Sequence, residues 1–170
     1  GRMKSLFVLR HAAATGPLSA PSDFDRPLSA RGQAQAADLG RTIRARDLEF
    51  GAIIASPARR VVDSVAGLGE VRAASAPAFD PRLYLASSAT LLEVIRDTAD
   101  GVDQLLVVGH NPGIPELLLD LAADDPDGHR HAVEARYPTA TLAELELGIE
   151  KWRELGLSTG RIVSLLRGAD

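Results

Sequence analysis

Three apolar runs of four residues each, at 6–9, 52–55 and 105–108, constrain this chain more than any other feature. Each has the length and composition of a buried strand, and each stops abruptly. Polar residues take over at every stop: Arg10-His11, Ser56-Pro57 and Gly109-His110-Asn111-Pro112. The second and third stops pair a capping residue with a proline at the position that opens a helix. Behind them apolar residues recur at helical spacing, Val61, Val65 and Leu68 after the second run and Ile114, Leu117, Leu118 and Leu121 after the third. The first run leads instead into a polar, proline-bearing stretch at 15–27, long enough to be a working loop. Ser29 then caps a predicted helix that carries Ala36, Leu39 and Ile43 on one side.

The rest of the chain extends the pattern. A helix is predicted over 90–96 and a weak strand near 76–79. Residues 124–131 read as a polar turn. Ala143, Leu145 and Leu147 then alternate with Glu144 and Glu146 as in a strand with one wet face, and 161–166 reads as another strand. Strands alternating with helices, with two late strands at the end, predict an α/β fold: a three-layer α/β/α sandwich with a mostly parallel central sheet and an antiparallel edge. With 170 residues, 45% of them hydrophobic, the chain can bury one core, so residues 1–170 are expected to form a single domain. Gly1 and Arg2 precede Met3 and are read as an expression scar.

A formal net charge of -4 gives no whole-surface attraction to nucleic acid or to anionic lipid, so any anion site must be local. There is no cysteine, which removes disulfides, thiol nucleophiles and zinc-thiolate sites. No apolar stretch approaches the roughly 18 residues of a membrane span, and no secretory leader is read, so a cytoplasmic protein without a membrane partner is expected. Neither a Walker-type loop nor a dinucleotide fingerprint is present, and no carboxylate cluster accompanies the histidines, so neither a cofactor nor a metal is expected.

In a sheet of this kind ligands bind beyond the carboxyl ends of the strands, so the residues after each apolar run should converge. They are Arg10 and His11, then Ser56 with Arg59 and Arg60, then His110. Guanidiniums and helix N-termini both favour an anion, and the guanidinium plane matches phosphate oxygens. The convergence reads as a phosphate pocket, and without thiol or metal its best nucleophile is a neutral imidazole.

At this point the residues resemble the histidine phosphatase superfamily, whose fold is phosphoglycerate mutase-like, and within it the SixA-like phosphohistidine phosphatases. The resemblance rests on Leu9-Arg10-His11-Ala12, Asp25-Arg26-Pro27-Leu28-Ser29 with Arg31-Gly32, Ser56-Pro57-Ala58-Arg59-Arg60, Val108-Gly109-His110-Asn111-Pro112 and Tyr137-Pro138-Thr139-Ala140, in the family's order along nearly the whole chain. It implies that His11 attacks phosphorus and is transiently phosphorylated, that Arg10 binds the phosphoryl oxygens, and that the second arginine is Arg60 rather than Arg59. It further implies that His110 completes the pocket and stabilises charge on the equatorial oxygens. The implied substrate is a phosphohistidine domain of a partner protein or a small phosphorylated metabolite.

Two departures from the family stand out. Ala12 replaces the glycine common after the nucleophile, so its methyl either crowds the phosphate or reshapes the loop. The region Leu83-Tyr84-Leu85-Ala86-Ser87 lacks the glutamate that serves many relatives as proton donor, which favours an N–P bond or an activated phosphate over an alkoxide leaving group. Arg26 is expected either to contact substrate or to hold the loop through Asp23 or Asp25. Arg59 is read as a solvated helix residue, His129 and His131 as loop residues rather than a metal pair, and Trp152 as a core anchor. Two other functions remain open: a phosphomonoesterase in which Asp23, Asp25 or water supplies the proton, and a non-catalytic module that recognises a phosphorylated partner.

Overall fold

The computed structural model describes residues 3–168; Gly1 and Arg2, read as a scar, lie outside the described residues. The first apolar run becomes β1 (Lys4–Arg10), the second β3 (Ala52–Ala55) and the third β6 (Gln104–Gly109). They pair in parallel, with Arg10 opposite Gly109 and Ala55 opposite Val108, so all three end at one edge. The two-residue β5 (Ala78–Phe79) adds in parallel to β3, while β7 (Thr141–Leu147) and β8 (Gly160–Arg167) close the other side antiparallel, giving the order β5-β3-β6-β1-β7-β8. The mostly parallel sheet is therefore the predicted one, and the wet-faced late strands form its antiparallel margin.

Side-chain alternation along the strands sorts the core into two layers. Leu6, Val8, Leu105 and Val107 face one way and pack with residues of α3 (Ser88–Arg96) and α4 (Gly113–Leu121). Phe7, Leu9, Leu106 and Val108 face the other way, against α1 (Ala30–Ala45) and α2 (Arg59–Gly67). The predicted stripes are the buried ones: Ala36, Leu39 and Ile43 on α1, Val61 and Val65 on α2, and Ile114, Leu117, Leu118 and Leu121 on α4. Shortening any of these leucines to alanine is expected to cost about 2–5 kcal/mol. Trp152 is fully buried and donates its Nε1–H to the Val102 carbonyl, as befits a core anchor.

Three local expectations give way. Residues 124–131 are not all turn: α5 (His129–Ala135) begins inside them, because the Asp125 carboxylate accepts from the backbone N–H of His129 and Arg130 and Val133 finds a buried seat. His129 and His131 thus stand on a helix rather than in an open loop. A two-stranded ribbon of β2 (Glu49–Phe50) and β4 (Arg72–Ala73) adds to the expected elements, its strands being too short to leave a periodic signal. Helices α2 and α4 also start later than the Ser-Pro and Asn-Pro pairs predict, with Ala58 and Pro112 at their caps. Ser29 does cap α1, accepting from the Gly32 N–H. Gly32 is required there, since a Cβ would lie 1.9 Å from the carbonyl oxygen of Ala13. That contact seats the start of α1 directly on the loop leaving β1.

Candidate active site

Beyond the shared strand edge, Arg10, His11, Arg60 and His110 meet around a cavity of about 390 Å³, with Asp23, Arg26, Asn111 and Thr139 in its wall. The bend after β1 is held on several sides. The Ser64 hydroxyl accepts from the Ala12 N–H at 2.9 Å while donating to the Arg60 carbonyl, so one side chain fixes the loop and α2 together. Gln35 Oε1 accepts from the Ala13 N–H at 2.8 Å. The Ala140 N–H reaches the carbonyls of both Arg10 and His11. Ala12 packs its methyl with Leu28, Ala36 and Ala140, so the crowding of a phosphate at that position does not arise.

His11 is 7% exposed, and its Nδ1 lies 2.7 Å from the Ala12 carbonyl. A carbonyl can only accept, so the proton sits on Nδ1 and the lone pair on Nε2. Burial pushes the imidazole down to about 4; the bond to Ala12 opposes this, and the cations of Arg60, Arg10 and Arg26 reinforce it. His11 is thus neutral at physiological pH with one ring nitrogen free to act as nucleophile. His110, whose ring centre lies 5.4 Å from that of His11, is pushed down to about 3 by burial first and then by Arg60. A guanidinium only donates, so Arg60 donates to His110 Nδ1 at 3.3 Å. The His110 proton then sits on Nε2, which donates to the buried Ser56 hydroxyl at 2.8 Å.

Both guanidiniums hold donors in reserve. Arg10 gives Nη1 to the Tyr137 carbonyl at 3.0 Å, but its Nε is buried without a partner, and so is Nε of Arg60. Burial, and after it the neighbouring Arg60 cation, lowers the Arg10 pKa. Two neighbouring cations, Arg60 buried and Arg10 half-buried, each with a buried Nε–H left unused, form a site that an oxyanion would complete. Tyr137, from the last sequence block, anchors this corner: its hydroxyl donates to the Val8 carbonyl, and its own carbonyl also accepts from Asn111 Nδ2.

The two adjacent arginines lie in different surroundings. Arg60 is 2% exposed in the cavity, whereas Arg59 is turned to solvent and pairs with Asp63 at 3.6 Å. Arg26 lines the cavity and also holds the loop, donating to Asp23 and to the Thr15 carbonyl. Asp25 turns aside to accept from the Ser22 hydroxyl. Sequence reasoning missed Ser56 as the support of His110, and it missed Tyr84. The Tyr84 ring stands edge-on to His110 at 5.6 Å, and its hydroxyl donates to Asp23 at 2.5 Å. No local signal could have found Tyr84, because its partners lie 61 and 26 positions away in the chain.

Residues 6–84 match the histidine phosphatase superfamily (branch 1). An uncharacterized protein of Mycobacterium tuberculosis is 34% identical over 142 residues, covering 82% of this chain and 87% of the relative. The chain belongs to the histidine phosphatase superfamily. As a member it is a phosphatase. Among solved structures, a protein described as a candidate phosphohistidine phosphatase SixA from Nakamurella multipartitia superposes with a TM-score of 0.86 at 24% identity, covering 100% of this chain and 99% of that one. The protein histidine phosphatase SixA complexed with tungstate superposes at 0.77 with 20% identity, covering 96% of each chain. At such identities these two structures establish the shared fold. Among the described residues no helix is long and apolar enough to cross a membrane.

Proposed function

We propose that this histidine phosphatase works without a metal by moving a phosphoryl group onto Nε2 of His11 and then to water, with residues 3–168 acting as one catalytic domain. The Nε2 lone pair attacks phosphorus, an N–P bond forms as the bond to the leaving group breaks, and the leaving group departs with that bonding pair. Water then attacks the phosphorylated His11 and releases inorganic phosphate. Arg10 and Arg60 offer N–H donors to the equatorial oxygens, where charge concentrates. His110 completes the pocket beside them: its Nδ1 accepts from Arg60 and its Nε2 donates to Ser56, which holds Arg60 next to the phosphoryl group. The observation that carries this reading is the tautomer of His11, fixed by the Ala12 carbonyl, beside two guanidiniums with unspent Nε donors.

The preferred substrate is a phosphohistidine carried by a protein, with a small phosphorylated metabolite as the second class. Asp23 is the carboxylate in the cavity wall, and it is held down to about 2, first by the Tyr84 hydroxyl and then by Arg60 and Arg26. A group so acidic is ionised and is a poor donor to an alkoxide, whereas an imidazole leaving group, whose far ring nitrogen can take a proton from water before the N–P bond breaks, needs such a donor far less. The same fact weakens the phosphomonoesterase reading. Leu85, exposed in the cavity wall, and Phe24, exposed with its ring 5.2 Å from that of Tyr84, suit a protein surface better than a sugar.

The test is phosphate release from a phosphohistidine protein and from a serine phosphomonoester, side by side and with chelator present. The expected result is release from the phosphohistidine protein alone, unaffected by chelator. Equal release from the serine ester would mean that a proton donor operates in the site, and loss of activity with chelator would contradict the metal-free mechanism.

A further inference from the structure

The Asp23 carboxylate is the most heavily used side chain in the site, yet neither the attack nor the binding of the phosphoryl group assigns it a task. Its Oδ1 accepts from Nε of Arg26 at 3.1 Å and stands 3.0 Å from Nη2 of the same residue. Its Oδ2 accepts from Nη2 of Arg60 at 3.0 Å and from the Tyr84 hydroxyl at 2.5 Å. Three hydrogen bonds and one further ion-pair contact thus occupy its two oxygens. The backbone carbonyl of Asp23 adds a fifth contact, accepting from Nη1 of Arg60 at 2.8 Å.

The pattern on Arg60 is specific. A guanidinium offers two edges, one formed by the two Nη groups and the other by Nε with one Nη. Asp23 takes a hydrogen from each Nη, so it grips the first edge with both its side chain and its backbone. The second edge keeps Nε without a partner and holds the long 3.3 Å contact to His110. It is the free edge, not the gripped one, that can turn to an oxyanion.

Resting on the phosphatase reading above, we propose that Asp23 is a positioning residue that clamps Arg60 by one edge so that the other faces the phosphoryl oxygens. Through the same carboxylate it ties Arg26 and Tyr84 to the pocket wall. Asp23 touches neither nucleophile nor phosphoryl group; it acts through Arg60, whose aim matters most when charge peaks on the equatorial oxygens. The same contacts could be drawn as a built-in anion competing with substrate for Arg60, and that arrangement predicts the opposite response to losing the charge.

The experiment compares wild type, Asp23→Asn and Tyr84→Phe by calorimetric binding of inorganic phosphate and of vanadate, which adopts the five-coordinate geometry of the transition state, together with kcat and KM on a phosphohistidine protein. In Asp23→Asn the proposal expects vanadate affinity and kcat to fall about tenfold while phosphate affinity and KM change less than about threefold. Tyr84→Phe removes one of the three hydrogen bonds to the carboxylate and leaves both guanidiniums, so a loss of about threefold in the same two quantities is expected; it keeps the test intact should Asp23→Asn fail to fold. Tighter phosphate binding in Asp23→Asn would overturn the clamp in favour of the competitor. Equal losses on phosphate and vanadate would reduce Asp23 to a structural role, and unchanged values would dismiss it. Wild-type protein that neither binds phosphate nor turns over the phosphohistidine protein would instead remove the phosphatase reading on which the proposal rests.

Discussion

The two ends of the central sheet make opposite use of buried charge. At the amino end of β1, Lys4 is 3% exposed and its ammonium donates to the Asp100 carbonyl and the Asp103 carboxylate. At the carboxyl end, Arg10 and Arg60 keep buried Nε–H groups without protein partners, beside two imidazoles held neutral. Cavity size does not separate the ends, since the amino end holds a hollow of about 480 Å³ lined by Ser5, Asp47, Glu49 and Asp103, larger than the one at the carboxyl end. Completeness does. A buried cation with its partners supplied belongs to the fold, whereas a pair of cations left short of acceptors is prepared for a ligand.

Arg60→Ala is the strongest way to sharpen this contrast: kcat on a phosphohistidine protein should fall by about 10²–10³, the loss typical of a missing donor to a developing anion. Its thermal midpoint should change little, because relief of the repulsion with Arg10 offsets the lost hydrogen bonds to Asp23 and His110; a sharp drop in stability with activity retained would make Arg60 a structural residue like Lys4. An intermediate effect is expected in the titration of His11 by NMR. Its imidazole should protonate with a midpoint of about 4, and remain neutral at pH 6, against 6.5 for a solvated histidine. The sign comes from burial, which disfavours the charged ring, so acid must reach well below the ordinary midpoint before the nucleophile is lost. A midpoint near 6.5 would mean that water reaches the ring freely. The smallest effect on activity belongs to the opposite end: Lys4→Met should leave kcat within about twofold and cost about 1 kcal/mol of stability, measured by denaturant unfolding.

Much of this is legible in the chain because the signals are local. Four-residue apolar runs that stop at Arg10-His11 and Gly109-His110 are strand ends by composition alone, and parallel pairing then brings those ends to one edge. The choice of Arg60 over Arg59 comes from the family resemblance and not from any local signal; in the structure Arg60 is buried and Arg59 exposed. The helix starts depart from expectation for a physical reason that concerns the site. Ser56 and Asn111 have the residue types of caps, but the helices begin beyond them: the Ser56 hydroxyl accepts both from His110 and from the Ala58 N–H ahead of α2, and the Asn111 amide donates to Tyr137. The Asp23, Tyr84 and Arg60 network is illegible in the sequence because its members come from three separate segments and meet only in the folded chain.

The most direct test of the account is rapid acid-free quenching of the enzyme during turnover of a radiolabelled phosphohistidine protein, with peptide mapping of the acid-labile label. The account predicts label on the peptide carrying His11 in wild type and none in His11→Ala, which should keep its fold and lose turnover by at least about 10³. Sustained turnover in His11→Ala, or label mapped elsewhere in wild type, would contradict it.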